Sequence, residues 1–249
     1  METENITIAA ANAHRGRMIR DVEGLTPFRK VDVLLLSEVV PRRDDLKNNL
    51  QNNGFQLAYS DDLDVAIAVR EGFKVLSTKE APLTGDRFLK RFFARTRMRI
   101  FGTRNMIIAK LETPTGEKLD VATLHPVPPI RPLARTKQVK AMDHVLENFV
   151  GSDRLVIGAD FNHYPNPREV DIMVREKNGL IPVDLGGKAT FPYRRRAQLD
   201  DMLYRGKGIE EINTQVVDVK SDHRAIITTF SLLKNKMHRL IQSPHRDRE

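Results

Sequence analysis

The chain of 249 residues contains no cysteine. That excludes disulfide scaffolds, thiolate metal sites and cysteine nucleophiles, and leaves oxygen and imidazole chemistry. It also lacks any apolar run near the ~20 residues that a membrane-crossing helix needs; stretches such as Val31 to Leu36 are strand-sized. The opening Met1-Glu2-Thr3-Glu4 is acidic where a secretion signal is basic, and the apolar stretch Ile6 to Ala11 is short and broken by Asn12. A soluble, cytoplasmic protein is the expectation. No Ser/Gly/Pro-rich linker divides the chain and no internal repeat stands out. The reading is therefore one domain over residues 1–232, packed from Ile6 onward, followed by a basic tail over residues 233–249.

What is present is enough apolar material for a large core, 40% of residues, and an excess of 41 Lys+Arg over 33 Asp+Glu, a formal +8. The core argues against disorder. The charge favours polyanionic partners without naming one: nucleic acid, anionic lipid headgroups and simple solubility stay open.

Short runs rich in Val, Ile and Leu recur at Ile6 to Ala10, Val31 to Leu36, Val65 to Val69, Met106 to Leu111, Leu119 to Thr123, Leu155 to Ile157, Leu199 to Tyr204 and Ala225 to Phe230. Their length and β-branching predict strands. One helix is expected over Leu133 to Val150, with Val139, Met142, Val145, Leu146 and Phe149 on one stripe. Another should start at Pro167 and end at Gly179, and a weaker one should run from Asp44 to Asn52 before Gly54. Such a mixture is an α/β protein whose sheets are covered by helices.

Strand ends carry the chemistry, because a strand tip is rigid while the residues beyond it face a cleft. The apolar runs lead in turn to Asn12, Glu38, His125, Asp160 with Asn162, Asp200, and Asp222 with His223. Singly, each suits a turn or a packed position. Six such ends in one chain point to a shared site.

At these residues the sequence resembles the endonuclease/exonuclease/phosphatase superfamily. The resemblance rests on Asn12 closing the first strand, Leu34-Leu35-Leu36-Ser37-Glu38, Asp160-Phe161-Asn162, and Ser221-Asp222-His223-Arg224. Thr123-Leu124-His125 and Leu199-Asp200-Asp201-Met202-Leu203 support it more weakly. These span nearly the whole domain in the family's order. Three positions depart from the pattern: Ala11 replaces a Trp, Ala159 replaces the Gly before the aspartate with Gly158 one place early, and Ala225 replaces a Pro. None is a reacting group.

The resemblance implies a four-layer α-β-β-α sandwich of two packed, mainly antiparallel sheets, with the signatures at one edge. It also implies hydrolysis of a phosphoester with Mg²⁺ or Mn²⁺. Hard cations suit oxygen ligands, so Glu38, Asn12, Asp222 and Asp160 are the metal candidates, Glu38 foremost. His223 is the expected general base, its tautomer fixed by Asp200. His125 binds the phosphate or protonates the leaving oxygen; Asp160 is the other candidate acid, and Asn162 orients a phosphate oxygen. Asp200 fits the aspartate's register better than Asp201. His14 follows Asn12 closely, but a solvated loop position is the more economical reading. His144 should be exposed, His163 could line the cleft, and His238 and His245 belong to the tail.

Two basic segments bear on substrate. From Arg87 to Arg104 no acidic residue occurs, and Arg95, Arg97 and Arg99 alternate with other residues among Phe88, Phe92, Phe93 and Phe101. Phosphate contact with base stacking, an amphipathic structural strand and lipid headgroup contact are the three readings. Arg194, Arg195 and Arg196 precede Asp200 and are expected at the rim as phosphate contacts. The expected function is a nuclease acting on DNA or RNA. A hydrolase of a smaller phosphoester, such as an inositol phosphate or sphingomyelin, is the alternative, and a non-catalytic binding module a third. Oligomeric state is not legible.

Overall fold

A computed structural model describes residues 2–19, 23–39, 43–60, 64–83, 105–126, 132–149, 152–162, 175–192 and 197–234. Twelve strands and two helices appear among them in the order β1 (Thr3–Asn12), β2 (Val33–Ser37), α1 (Arg43–Asn52), β3 (Phe55–Ser60), β4 (Val65–Arg70), β5 (Lys74–Pro82), β6 (Asn105–Glu112), β7 (Lys118–Leu124), α2 (Pro132–Phe149), β8 (Leu155–Asp160), β9 (Ile181–Pro182), β10 (Asp200–Arg205), β11 (Ile209–Asp218) and β12 (Arg224–Leu233). A 3-10 turn, Glu23–Phe28, precedes β2.

The strands form two six-stranded sheets, ordered β11-β12-β1-β2-β4-β3 and β5-β6-β7-β8-β10-β9. The pairs β1–β2 and β7–β8 are parallel, and the other described pairs are antiparallel. Alternation along each strand sends one set of side chains between the sheets and the other outward. Ile6, Ile8, Ala10, Val33, Leu35, Ile67, Ile107, Val121, Val156 and Met202 fill the space between the sheets. On the outer face of the first sheet Ala9, Leu34 and Leu36 pack with Leu46 and Leu50 of α1 and Leu25 and Phe28 of the 3-10 turn. On the outer face of the second, Ile108, Leu124, Ile157 and Leu203 pack with Val139, Met142, Val145 and Leu146 of α2. The result is the expected four-layer sandwich with three apolar layers.

All eight apolar runs are strands, and helices lie over Arg43–Asn52 and Pro132–Phe149 as their periodicity predicts. The first helix ends where Gly54 turns left-handed at φ 76°. Of the helix expected from Pro167, residues 175–177 are helical and Gly179 closes it at φ 61°; its earlier part and the tail beyond residue 234 lie outside the described residues. Strands β3, β5, β9 and β11 add to the reading. No helix among the described residues is long and apolar enough to cross a membrane.

Because each sheet has one central parallel pair flanked by antiparallel neighbours, one end of the sandwich gathers the C-terminal ends of β1, β2, β7 and β8 and the N-terminal ends of β4, β10 and β12.

Candidate active site

Gly158 sets how closely the two sheets approach at this end. A Cβ there would lie 2.7 Å from Ala10 Cβ and 2.9 Å from Leu35 Cδ1, so any side chain would wedge β8 away from β1 and β2. Two residues further along each strand, on the same inner face, stand Asn12 and Asp160. Asn12 Nδ2 donates to Asp160 Oδ2 at 2.9 Å across the gap, and Asn12 Oδ1 accepts the His14 N–H at 2.8 Å. One bond at each end thereby fixes the orientation of the amide. The other Asp160 oxygen, Oδ1, accepts the backbone N–H of Asn162 at 2.8 Å. The Gly158 shift in the sequence thus has a packing explanation: the glycine serves the sheet interface.

Asp200 stands directly opposite Asp160 in the β8–β10 ladder. Two buried carboxylates so placed repel unless something cationic lies between. His223 supplies it: its Nδ1–H donates to Asp200 Oδ2 at 2.7 Å, and its Nε2 lies 3.9 Å from Asp160 Oδ2. Burial, followed by the Asp160 charge, raises the Asp200 carboxyl to about 6 in spite of His223 and Thr190. Burial alone would lower His223, but the hydrogen bond and charge of Asp200, with Asp160 and Asp222, raise it to about 9. Thr190 Oγ1 accepts the Leu199 and Asp200 N–H groups, each at 3.0 Å, and the Phe191 ring lies 4.9 Å from the imidazole at 57°. Asp201 points the other way, into the α2 layer, where Arg175 Nη2 lies 2.6 Å from Oδ2.

His125 forms the mirror arrangement from the β7 side. Its Nδ1 lies 2.8 Å from Asp64 Oδ2, and its Nε2 lies 3.5 Å from Asp160 Oδ2 and 4.0 Å from Glu38 Oε1. Two imidazoles, each held by its own carboxylate, thus converge on the same oxygen of Asp160. Glu38 and Asn162 both have left-handed backbone, at φ 54° and 51°, a conformation that costs about 1–3 kcal/mol where it is sparsely populated and that clusters at functional sites. Asn162 Nδ2 donates to the Pro126 carbonyl at 2.9 Å, tying the β7 and β8 ends together.

Glu38, His125 and Asp160 bring one donor atom each within 4.8 Å of one another, as do Asp160, Asp200 and His223. In the first group the two carboxylates, the part-exposed Glu38 and the buried Asp160, have the oxygen-donor chemistry of a divalent-cation site. Among the expected metal ligands the structure therefore joins Glu38 to Asp160. Asn12 bonds to Asp160 and to the His14 N–H, and Asp222 Oδ1 pairs with His14 Nδ1 at 2.7 Å. His14 thus lies on the turn its sequence position suggests, but its side chain is part-buried and paired instead of solvated. His144 is exposed. Arg95, Arg97, Arg99, Arg194, Arg195, Arg196, His163, His238 and His245 lie outside the described residues. Asp64, Thr190 and Phe191 were not legible. Asp64 alone carried a signal, a carboxylate immediately before an apolar run whose strand enters the site by its N-terminal end; Thr190 and Phe191, on a loop remote in sequence, carried none.

No protein-family model matches the sequence, and no curated protein matches it. The structure, in contrast, resembles solved proteins over nearly its whole length. An endonuclease/exonuclease/phosphatase family protein from Bacteroides thetaiotaomicron superposes with a TM-score of 0.73 at 13% identity, covering 94% of this chain and 100% of that one. TDP2 from D. rerio, complexed with a single-strand DNA product, gives 0.66 at 16% identity, covering 91% and 99%. ANGEL2, a 2',3'-cyclic phosphatase, gives 0.68 at 13% identity, covering 92% and 96%. At such identities the likeness is one of fold.

Proposed function

We propose that this chain, which has the fold of the endonuclease/exonuclease/phosphatase proteins, is a divalent-metal-dependent phosphodiester hydrolase acting on DNA or RNA. The observation that carries the reading is the convergence of two carboxylate-held imidazoles, His125–Asp64 and His223–Asp200, on Asp160 Oδ2. Phosphodiester hydrolysis needs a proton taken from water and a proton given to the leaving oxygen. One fixed imidazole for each task is what this site offers.

His223 takes the proton of the attacking water at Nε2, while Asp200 holds Nδ1–H and stabilises the imidazolium that forms. His125 gives a proton from Nε2 to the leaving oxygen, with Asp64 in the orienting role; that partner favours His125 over Asp160 as the acid. Asp160, oriented by Asn12 and the Asn162 N–H, holds both imidazoles at its Oδ2 and shares with Glu38 the task of binding Mg²⁺ or Mn²⁺. Held there by Glu38 and Asp160, such a cation would supply Lewis-acid neutralisation of charge on the phosphoryl oxygens. Asp160 and Asp200 also hold the proton on His223, so engaging the Asp160 charge elsewhere eases its release.

The formal +8 and the TDP2 neighbour bound to single-strand DNA support nucleic acid as substrate. The basic segments Arg87 to Arg104 and Arg194 to Arg196 are the proposed backbone contacts. A substrate panel in Mg²⁺ and Mn²⁺ tests the reading: single-stranded, duplex and abasic DNA, RNA, a nucleoside 2',3'-cyclic phosphate, inositol phosphates and sphingomyelin. Preferential cleavage of a nucleic acid is expected. Turnover confined to the small phosphoesters would replace the nuclease reading with the phosphatase one.

A further inference from the structure

The antiparallel register of β1 against β12 is constant from Thr3–Leu233 to Ala10–Ile226. Carried four residues beyond that last pair, it sets His14 opposite Asp222. The β1–β12 ladder has stopped there, with the Arg224 N–H donating to the Thr190 carbonyl and the Ala13 N–H to the Ser37 carbonyl, yet the cross-strand pair survives through side chains: His14 Nδ1 lies 2.7 Å from Asp222 Oδ1.

The segment carrying His14 is built to hold it there. Ala13 N–H donates to the Ser37 carbonyl at 2.7 Å, Gly16 N–H to the Glu38 carbonyl at 2.9 Å, and His14 N–H to Asn12 Oδ1 at 2.8 Å. His14, Arg15 and Gly16 are all left-handed, at φ 45°, 56° and 75°. For the two non-glycine residues that conformation costs roughly 1–2 kcal/mol each. Strain of this kind persists only where surrounding contacts impose it, and here the contacts are those to Glu38 and Asn12.

On the other side, Asp222 is bonded to His223. Around that imidazole, Thr190 accepts the Asp200 N–H and its carbonyl accepts the Arg224 N–H at 2.7 Å, so the second sheet and the 190 loop grip His223 from one side. The His14–Asp222 pair grips it from the β1 side.

We propose that His14 is a positioning residue: by latching Asp222 to the end of β1, it holds the His223 imidazole in register with Asp160. The inference rests on the proposed hydrolase reading for its kinetic consequence, and on the fold alone for its structural one. His14 and Asp222 side chains are 28% and 41% exposed, and a pair so exposed is worth at most about 1 kcal/mol of stability. Removing it should leave the protein folded. Its effect should appear in the placement of His223, where loss of an orienting partner costs about 10–100-fold.

The test compares His14→Ala, which has no ring, His14→Phe, which keeps a ring without the nitrogen, and His14→Asn, whose amide can replace Nδ1 and tolerates left-handed backbone. The expected result is a kcat about 10–100-fold lower in the Ala and Phe variants with KM within about twofold, and substantial recovery in the Asn variant. The NMR resonances of the His223 ring, assigned by loss in His223→Ala, should shift in Ala and Phe and return towards wild type in Asn. Unchanged kcat in His14→Ala, a rise in KM at constant kcat, or equal defects in Ala and Asn would overturn the proposal; the second pattern would make His14 a substrate contact instead. If the wild type hydrolyses no phosphoester, the hydrolase reading fails. The latch is then decided by the His223 resonances alone, and their staying in place in His14→Ala would overturn it.

Discussion

Asp200 faces Asp160 across the β8–β10 ladder as its direct cross-strand neighbour, both buried. Like charges in that relationship are destabilising, and His223 is the group that makes it tolerable.

The pair therefore titrates unusually in metal-free protein. Burial and Asp160 raise Asp200 from 3.8 to about 6, and the surrounding carboxylates raise His223 from 6.5 to about 9 against the effect of burial. A raised histidine binds its proton more tightly in the folded state, so its contribution is full below 6.5 and is lost as pH rises through about 9. Asp200, also raised, makes stability fall with rising pH between 3.8 and about 6. In EDTA, Tm should decline from pH 6.5 to 9 by several degrees, and the His223 resonances should titrate above the ordinary histidine value. Asp200→Asn should move the titration down and flatten the decline. A wild-type Tm that rises over that window would contradict the account.

His125 needs Asp64 as His223 needs Asp200. Asp64→Asn should lower kcat roughly 10–100-fold while leaving metal affinity close to wild type, because Asp64 touches the far nitrogen of His125. The effect should nearly vanish in a His125→Ala background, since members of one unit are strongly non-additive. Full multiplicativity of the two changes would break the proposed pairing.

Gly158→Ala should destabilise by about 1–3 kcal/mol through overpacking between the sheets and should also impair turnover, because it separates Asn12 from Asp160. Gly186→Ala is the control. It introduces strain at φ 59° with nothing within 4 Å of the new Cβ, so it should cost stability alone, by about 1 kcal/mol. Chemical denaturation with parallel activity measurements separates the two effects. Equal activity in both variants would mean that Gly158 does not set the site.

Charge tests the nucleic-acid reading. If Arg87 to Arg104 and Arg194 to Arg196 meet a phosphate backbone, log K should fall by about 0.7–0.9 per contact per log unit of salt. Removing Arg95, Arg97 and Arg99 together should flatten that slope while leaving hydrolysis of bis-p-nitrophenyl phosphate nearly unchanged. An unaltered slope would assign the segment a structural role.

The sequence made the middle of each sheet legible and its margins obscure. The eight strands found from apolar runs are the inner ones, with β2, β4, β7 and β8 buried almost throughout, whereas β3, β5, β9 and β11 are the four sheet edges. Edge strands need no continuous apolar run: most of β5 and β11 is exposed or half-exposed. The same geometry explains Asp64. Looking beyond C-terminal strand tips finds Asn12, Glu38 and His125, but an antiparallel neighbour brings its N-terminal end to the site, so the signal at Asp64 lies before its apolar run and not after it. The family resemblance separated Asp200 from Asp201 by the register of its motif, and alternation along β10 gives the physical reason: Met202 faces the inter-sheet layer with Asp200, and Leu203 faces α2 with Asp201. The His14–Asp222 pair needed the β1–β12 register, which no local pattern discloses.

The central claim is that hydrolysis depends on a cation held by Glu38 and Asp160 and on a proton taken by His223. One measurement decides it: initial rates of cleavage of an end-labelled single-stranded oligonucleotide in EDTA and after Mg²⁺ or Mn²⁺ is restored, for wild type, Glu38→Gln and His223→Ala. The account predicts no cleavage in EDTA, recovery with either cation, a shift to higher metal concentration in Glu38→Gln, and a loss of at least about 100-fold in His223→Ala at saturating metal. Cleavage that persists in EDTA, or that survives undiminished in His223→Ala, would contradict it.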